Sequence, residues 1–488
     1  MERSELAGLL TRALGLALAG VALAAIVVHV PSARMLSHVN GIHLLLADLL
    51  TRGVFYPQVP TAELAYGTFY QPLAFAPVAL LPGSGLEKVP WLRILCAADV
   101  LACLGLLAAV AARVNLRSWL AWRPSAIALC TAPVGFCLLA MRDDPRGVWI
   151  GILAMLVHLG GGRSATMLAA LLLSAAFFTK LTAPFAPFCA IAFDLGRNGR
   201  APLMRFVLAT SVACGVPFAI LQWGLHVDLL DNGIRLALLE PAYTPRDALH
   251  TTWRMFRDML AVPERSFALI PIAATSLVVL VGRAARRHFE WLDALALAGF
   301  AKSWLAYRNP GADYNHLFDL TLFTALHVGV RACEWLTPLR TLLGFLALLA
   351  LGRPWELLLM GDRPPLHQAS AARVAQTLAT LPPVQTLVED PLVQLLAKTT
   401  PCVPDCGVVF GRLRRHPEVR ATWFGSGATK GTIERMVLLF DPFENTEQRP
   451  GPYWYGVVNF DREFYAELVA HWHVVLASAD AAILERRP

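Results

Sequence analysis

Charge is what this sequence has least of. Asp, Glu, Lys and Arg make up 16% of its 488 residues, where a soluble domain carries roughly a quarter. Phe206–Trp223 and Phe267–Val281 hold no charged residue, and Leu92–Ala112 holds only Arg93 and Asp99. A polar group in hydrocarbon costs several kcal/mol unless it is satisfied within its own segment, so each apolar run reads as a membrane helix. The scarcity excludes a wholly soluble chain. Also missing are a Gly-rich nucleotide loop, a low-complexity linker and an internal repeat. The last absence weighs against a transporter built from inverted halves. Cysteine is sparse and mostly uninformative. Cys96, Cys103, Cys130, Cys137, Cys189 and Cys214 lie inside apolar runs, where Cys acts as a small hydrophobe. Cys402 and Cys406 fit either a small-loop disulfide outside the cytoplasm or two free thiols in a turn.

What is present is a contrast between two halves. Hydrophobic residues form 56% of the chain, mean hydropathy is +0.52, and long apolar runs separated by Arg-rich turns fill residues 8 to about 355. An ordinary soluble-looking sequence follows to Pro488. The fold class expected is a polytopic α-helical membrane protein with about ten to twelve spans and a small C-terminal α/β domain, divided as 1–355 and 356–488. The net charge of +7 is no nucleic-acid signature, because the Arg residues fall in short loops, as cytoplasmic anchors do. The first run, about Ala7 to Val30, is too long for a signal-peptide core and lacks a small-residue cleavage site. It reads as an uncleaved span with Arg3 and Arg12 in the cytoplasm.

Charge also sets the expected topology. Arg113/Arg117/Arg123, Arg197/Arg200/Arg205, Arg283/Arg286/Arg287 and Arg331/Arg340 belong on the cytoplasmic side. That leaves residues 31–90, the Arg142–Arg146 turn, the loop 224–265, the Arg308–Asn315 turn and everything after about 355 outside. The scheme needs Tyr66–Pro82, with Pro72, Pro77 and Pro82, to be re-entrant or interfacial, since a straight span takes about 20 residues and interior proline removes backbone bonds. The short apolar runs around Lys180 are two thin spans or one broken helix. Gly41–Arg52 reads as a helix lying on the outer membrane surface. In the tail, Val384–Val388, Met436–Phe440 and Val474–Ala477 read as strands, and Pro391–Lys398 and Phe464–His471 as helices.

Polar residues on the expected outer side are the functional candidates. Lys180 stands between apolar runs, where a cation is expensive and functional by default, though snorkelling to an interface is the plainer account. Asp143 and Asp144 are base candidates. Asp144 before Pro145 also suits a helix cap, and flanking Arg142 and Arg146 suit a phosphate. The two acids together would suit a divalent cation, Mg or Mn. Asp48 is a third base candidate, with Arg52 placed four residues on to pair with it. Glu63 is a further acid in the same loop. His471 and His473 flank Trp472 and are weak metal candidates.

Four outer clusters occur in order: Ser37-His38-Val39-Asn40-Gly41 with Gly53–Pro57 and Tyr66–Pro72, including Tyr70; Arg142–Arg146; Thr179-Lys180-Leu181-Thr182; and Tyr307–Asp319, including Arg308, Asn315 and His316. With the Glu389-Asp390-Pro391-Leu392 start of the tail, they resemble the integral-membrane glycosyltransferases of the GT-C class, and specifically bacterial transferases for lipid A and lipopolysaccharide that use polyprenyl-phosphate sugars. The resemblance covers nearly the whole chain. It implies an inverting transfer to a lipid or glycan hydroxyl on the outer face of the bacterial cytoplasmic membrane. It also implies a carboxylate base and a set that binds donor phosphate or substrate, drawn from Lys180, Arg142, Arg146, Arg308, Asn315, His316, Asn40 and Tyr70. The partners implied are the lipid-linked donor, the acceptor and membrane lipids, with no nucleic acid. The chain departs from the pattern at Asn40, where the family carries its acid. Two alternatives therefore stay open: a degenerate relative acting as a binding or assembly partner, and a lipid or solute transporter.

Overall fold

The computed structural model describes residues 3–29, 38–55, 71–114, 121–139, 142, 144–225, 227, 229–230, 248–253, 255–256, 268–307, 314–331, 338–352, 366–384, 386–388, 390–398, 433–438, 468, 470–478 and 481–487. The bundle is built from α1 (Arg3–His29), α2 (His38–Thr51), α3 (Pro72–Ala79), α4 (Val89–Arg113), α5 (Arg123–Leu129), α6 (Ala132–Leu139), α7 (Asp144–His158), α8 (Arg163–Thr179), α9 (Phe185–Arg197), α10 (Arg200–Ala219), α11 (Leu269–Ala285), α12 (Trp291–Ala306), α13 (Phe318–Arg331) and α14 (Pro338–Gly352). The tail adds α15 (Leu366–Thr380), β1 (Thr386–Val388), α16 (Pro391–Ala397), β2 (Arg435–Leu438), β3 (Trp472–Ser478) and β4 (Ala481–Arg486).

The bundle exposes apolar side chains on its flank and buries several ionisable groups within a largely apolar core, where such groups are costly and are held in pairs. Met204, Leu208, Val212, Val216 and Ile220 form an exposed ridge along α10 and its extension, spaced four residues apart, whereas Asp99, Asp293, Lys302, Asp319 and His327 are buried. Among the described residues, Gly85–Arg113 and Arg200–Gly224 are long and apolar enough to cross a membrane, and shorter apolar helices cover Ala13–Val28, Arg163–Thr179, Leu269–Ala285 and Leu342–Leu351. These are fewer than the ten to twelve spans the sequence suggests, because other helices are shorter still or carry charge. The broken pair around Lys180 is α8 and α9 joined by a turn, and the described part of the proline-rich stretch, residues 71–82, holds the eight-residue α3.

Ion pairs and carbonyl contacts sort the helix termini into two ends. At one end Arg113 donates to the Leu159 carbonyl (3.4 Å), His158 meets Asp194 (3.1 Å) and Arg197 donates to the Phe289 carbonyl (3.4 Å). The opposite end carries α2, α3, the head of α7, the tail of α8, the junction of α12 with α13, and the C-terminal domain. The segments expected on the outer side thus share one end wherever they are described.

One expectation is corrected. The helix from His38 to Thr51 does not lie open on a surface: Asn40, Ile42, His43, Leu44, Leu45, Leu46, Ala47 and Leu49 are all buried. One face packs Ile42 and Leu46 on Phe75 and Phe178 of the bundle. The other packs Leu44 and Leu45 with Leu392, Val393 and Val437 of the tail. The approach is close, since a Cβ on Gly41 would sit 2.9 Å from Pro391 Cγ. An apolar surface that would otherwise face headgroups is covered by protein instead, which fixes α2 between bundle and tail.

The tail forms a four-stranded sheet in the order β1-β2-β4-β3, with β1 parallel to β2 and the other pairs antiparallel. The three expected strands are present; the fourth, Ala481–Arg486, adds the strand that joins β2 to β3. Helix α15 covers the sheet through Ala371, Val374, Ala375 and Leu378, packed with Val437 and Ile483. Arg435 on β2 is ion-paired with Glu485 on β4 and donates to the Pro382 carbonyl at 2.8 Å. The division expected near residue 355, and Cys402 and Cys406, fall outside the described residues.

Candidate functional site

The loop between α8 and α9 brings Lys180 to the head of α7. Helix α7 carries Gly147 and Gly151 one turn apart, and a Cβ on Gly147 would stand 2.7 Å from the Ala183 Cβ. Bare glycine lets the 180–187 stretch press against the helix. Lys180 then caps α8 in an extended conformation (φ −151°, ψ 122°) and its ammonium forms an ion pair with the Asp144 carboxylate. Asp144 occupies the first turn of α7, where the helix dipole favours an anion. Its side chain is 3% exposed and that of Lys180 18%. Two residues singled out separately in the sequence are therefore one unit, open on the lysine side.

Arg146 is engaged differently from the phosphate ligand expected of it. Its guanidinium pairs with Asp99 on α4 (Nη2–Oδ2 2.9 Å) and donates to the Ala74 carbonyl on α3 at 2.8 Å. Trp149 Nε1 donates to the other Asp99 oxygen at 2.9 Å. Arg146 thereby ties the head of α7 to α4 and to the end of the first loop. Asp48 is paired with Arg52 at 2.7 Å, one turn along α2, as their four-residue spacing suggested. Asn40 is fully buried in the first turn of α2. Arg142 is half-buried just ahead of α7, and His316, half-buried, accepts a hydrogen bond at its carbonyl from Ser303 Oγ at 3.0 Å. Asn315 lies in the 3₁₀ turn Tyr314–Leu317. Asp143, Tyr70, Arg308 and Glu63 lie outside the described residues.

Two buried pairings went unread in the sequence, although Asp319 closes the fourth outer cluster and Arg283 and Arg331 are among the expected cytoplasmic anchors. Lys302 on α12 forms an ion pair with Asp319 in the first turn of α13, both nearly inaccessible. A lone Lys in the apolar run Trp291–Ala306 is the same signal as Lys180. At the opposite end His327 Nε2 meets Asp293 Oδ1 (3.0 Å) and its Nδ1 meets Ser276 Oγ (2.9 Å), while Arg283 Nε donates to Asp293 Oδ2 (3.0 Å). Arg331 and Arg283 also hold Glu290 at 2.5 and 3.1 Å. This network pins three helix ends together. Among the described residues no group of three or more His, Cys, Asp or Glu side chains is arranged to hold a metal ion.

The fold has known counterparts. Over 96% of its length the chain superimposes on 97% of ArnT from Cupriavidus metallidurans bound to undecaprenyl phosphate, with a TM-score of 0.54 and 13% identity. The apo form of that protein matches at a TM-score of 0.52. The oligosaccharyltransferase of Archaeoglobus fulgidus, in complex with Zn and sulfate, matches over 94% of this chain and 72% of its own, at a TM-score of 0.55 and 12% identity. No family model and no curated protein matches the sequence. The fold is therefore the one these two proteins share, the GT-C-like architecture that the resemblance implied.

Proposed function

We propose that this protein transfers a sugar from a polyprenyl-phosphate-linked donor to a hydroxyl of a lipid or glycan acceptor. The observation that carries the reading is the Asp144–Lys180 pair, an acid and a cation held at a helix head in a GT-C-like bundle. In the reaction the bond from the sugar C1 to the phosphate oxygen breaks and its electron pair stays on phosphate. The acceptor oxygen forms the new bond to C1, and its proton passes to a carboxylate. The phosphodiester carries one negative charge and the departing monoester two, so a cation nearby is worth more late in the reaction than at its start. Lys180 supplies it, and Asp144 supplies the base. Undecaprenyl phosphate on the similar ArnT structure supports a donor of this class. The buried amide of Asn40 favours the degenerate-partner reading as the second choice.

The test is transfer from a panel of polyprenyl-phosphate sugars, read by mass spectrometry, together with binding of undecaprenyl phosphate. Lys180→Met/Asp144→Asn, which removes both charges of the pair, should fold and, set against Asp144→Asn alone, weaken that binding by about 10- to 100-fold, the usual worth of a hydrogen bond to a charged group. Unchanged binding would make Lys180 an interfacial anchor. No transfer with any donor would favour the degenerate partner.

The orientation proposed places the Asp144 end and the C-terminal domain outside the cytoplasm of a bacterial inner membrane, with the N-terminus inside. A reporter fused after Pro488 should be active only in its extracytoplasmic form. Activity of a cytoplasmic reporter would reverse the assignment.

A further inference from the structure

The Lys302–Asp319 pair repeats the design of the Asp144–Lys180 pair at the same end of the bundle. In each, a Lys near the exit of one helix meets an Asp in the first turn of another. Lys302 and Asp319 are 3% and 2% exposed at their side chains. Burying such a pair gains little over an apolar contact of similar volume, because desolvation offsets most of the attraction. Holding α12 to α13 is therefore a weak reason for two charges inside a membrane bundle. The two pairs are also neighbours. Helices α7 and α13, whose first turns carry Asp144 and Asp319, are in contact, and Val148 and Phe318 beside those turns share one core with Cys137 of α6.

We propose that Lys302 is a second cation for the donor phosphate, held by Asp319 until the donor arrives; this rests on the transferase reading. Asp319 keeps part of its stabilisation in the exchange, and the new contact of the ammonium with phosphate must offset the rest. A carboxylate in the first turn of a helix keeps the favourable helix dipole when its ammonium leaves. On donor binding Lys302 and Lys180 turn from their carboxylates to phosphate oxygens. Two ammonium groups then meet the charge that grows as the C1–oxygen bond breaks, and no proton or electron is added to the overall balance.

The test uses the full chain in detergent or bilayer. Removing Lys302 alone leaves Asp319 buried without its cation and would confuse binding with folding. The informative variant is the double substitution Lys302→Met/Asp319→Leu, which removes the pair at similar volume. It should melt at or above the parent temperature, bind undecaprenyl phosphate about tenfold more weakly, and lose about 10²-fold in kcat/KM. Lys302→Arg, which keeps the charge, should retain most of the binding. Unchanged binding and turnover in the folded double variant would show the pair to be structural and overturn the proposal. Should the double variant fail to fold, the neutral pair Lys302→Gln/Asp319→Asn decides by the same readouts, and failure of that variant to fold also counts for a structural role. If the parent protein does not bind undecaprenyl phosphate at all, the transferase reading fails first, and the two failures are distinct.

Discussion

Asp144→Asn should lower turnover by about 10²- to 10⁴-fold, the usual contribution of a general base, while the protein folds and binds donor. Asparagine matches aspartate in shape and is tolerated at a helix start, so the head of α7 should survive the change. What disappears is the ability to take a proton. The ion pair adds a condition. A carboxylate oxygen engaged by the Lys180 ammonium is a poor proton acceptor, so the base is masked until Lys180 turns to phosphate. Donor binding should therefore precede productive acceptor binding, and steady-state kinetics should show an ordered pattern. Full activity in Asp144→Asn would move the base to another acid. Asn40→Asp is the companion test. It places a new carboxylate at a fully buried site in the first turn of α2, and a large gain of transfer from it would mean that the natural chain is impaired at that position.

The sequence disclosed what depends on local pattern. Proline spacing marked the short α3, the interruption at Lys180 marked the break between α8 and α9, and alternating apolar residues marked β1, β2 and β3. Asp48 and Arg52 could be paired on paper because they are four residues apart. What it hid depends on contacts made across long separations. Helix α2 is apolar on most of its circumference, which suits a membrane surface and a buried interface equally, and only the tail helix at Pro391 decides between them. Asp99 and Arg146 come together from helices 47 residues apart, so neither predicts the other. Lys302 was legible by the same reasoning that found Lys180, but it sits four residues inside its helix, without a flanking cluster of polar residues to draw attention to it.

Arg146→Met should cost about 3–5 kcal/mol of stability, the penalty for stripping one partner from a buried ion pair. The substitution leaves Asp99, 5% exposed, with its Trp149 hydrogen bond but without the guanidinium that contacts it at 2.9 and 3.0 Å. It also removes the donor to the Ala74 carbonyl, which joins the first loop to α7. Thermal unfolding in detergent measures the loss. The double variant Asp99→Leu/Arg146→Met removes both charges and should recover part of it. The remainder reports the tether to α3. Separating this role from phosphate binding is straightforward, because the two move different quantities. If Arg146→Met melts like the parent yet loses affinity for undecaprenyl phosphate, Arg146 is a donor ligand after all. A destabilised variant that binds donor normally below its melting temperature assigns it to the scaffold. In that case the height of the Asp144–Lys180 pair relative to the first loop is set from below, by a single guanidinium shared among α3, α4 and α7.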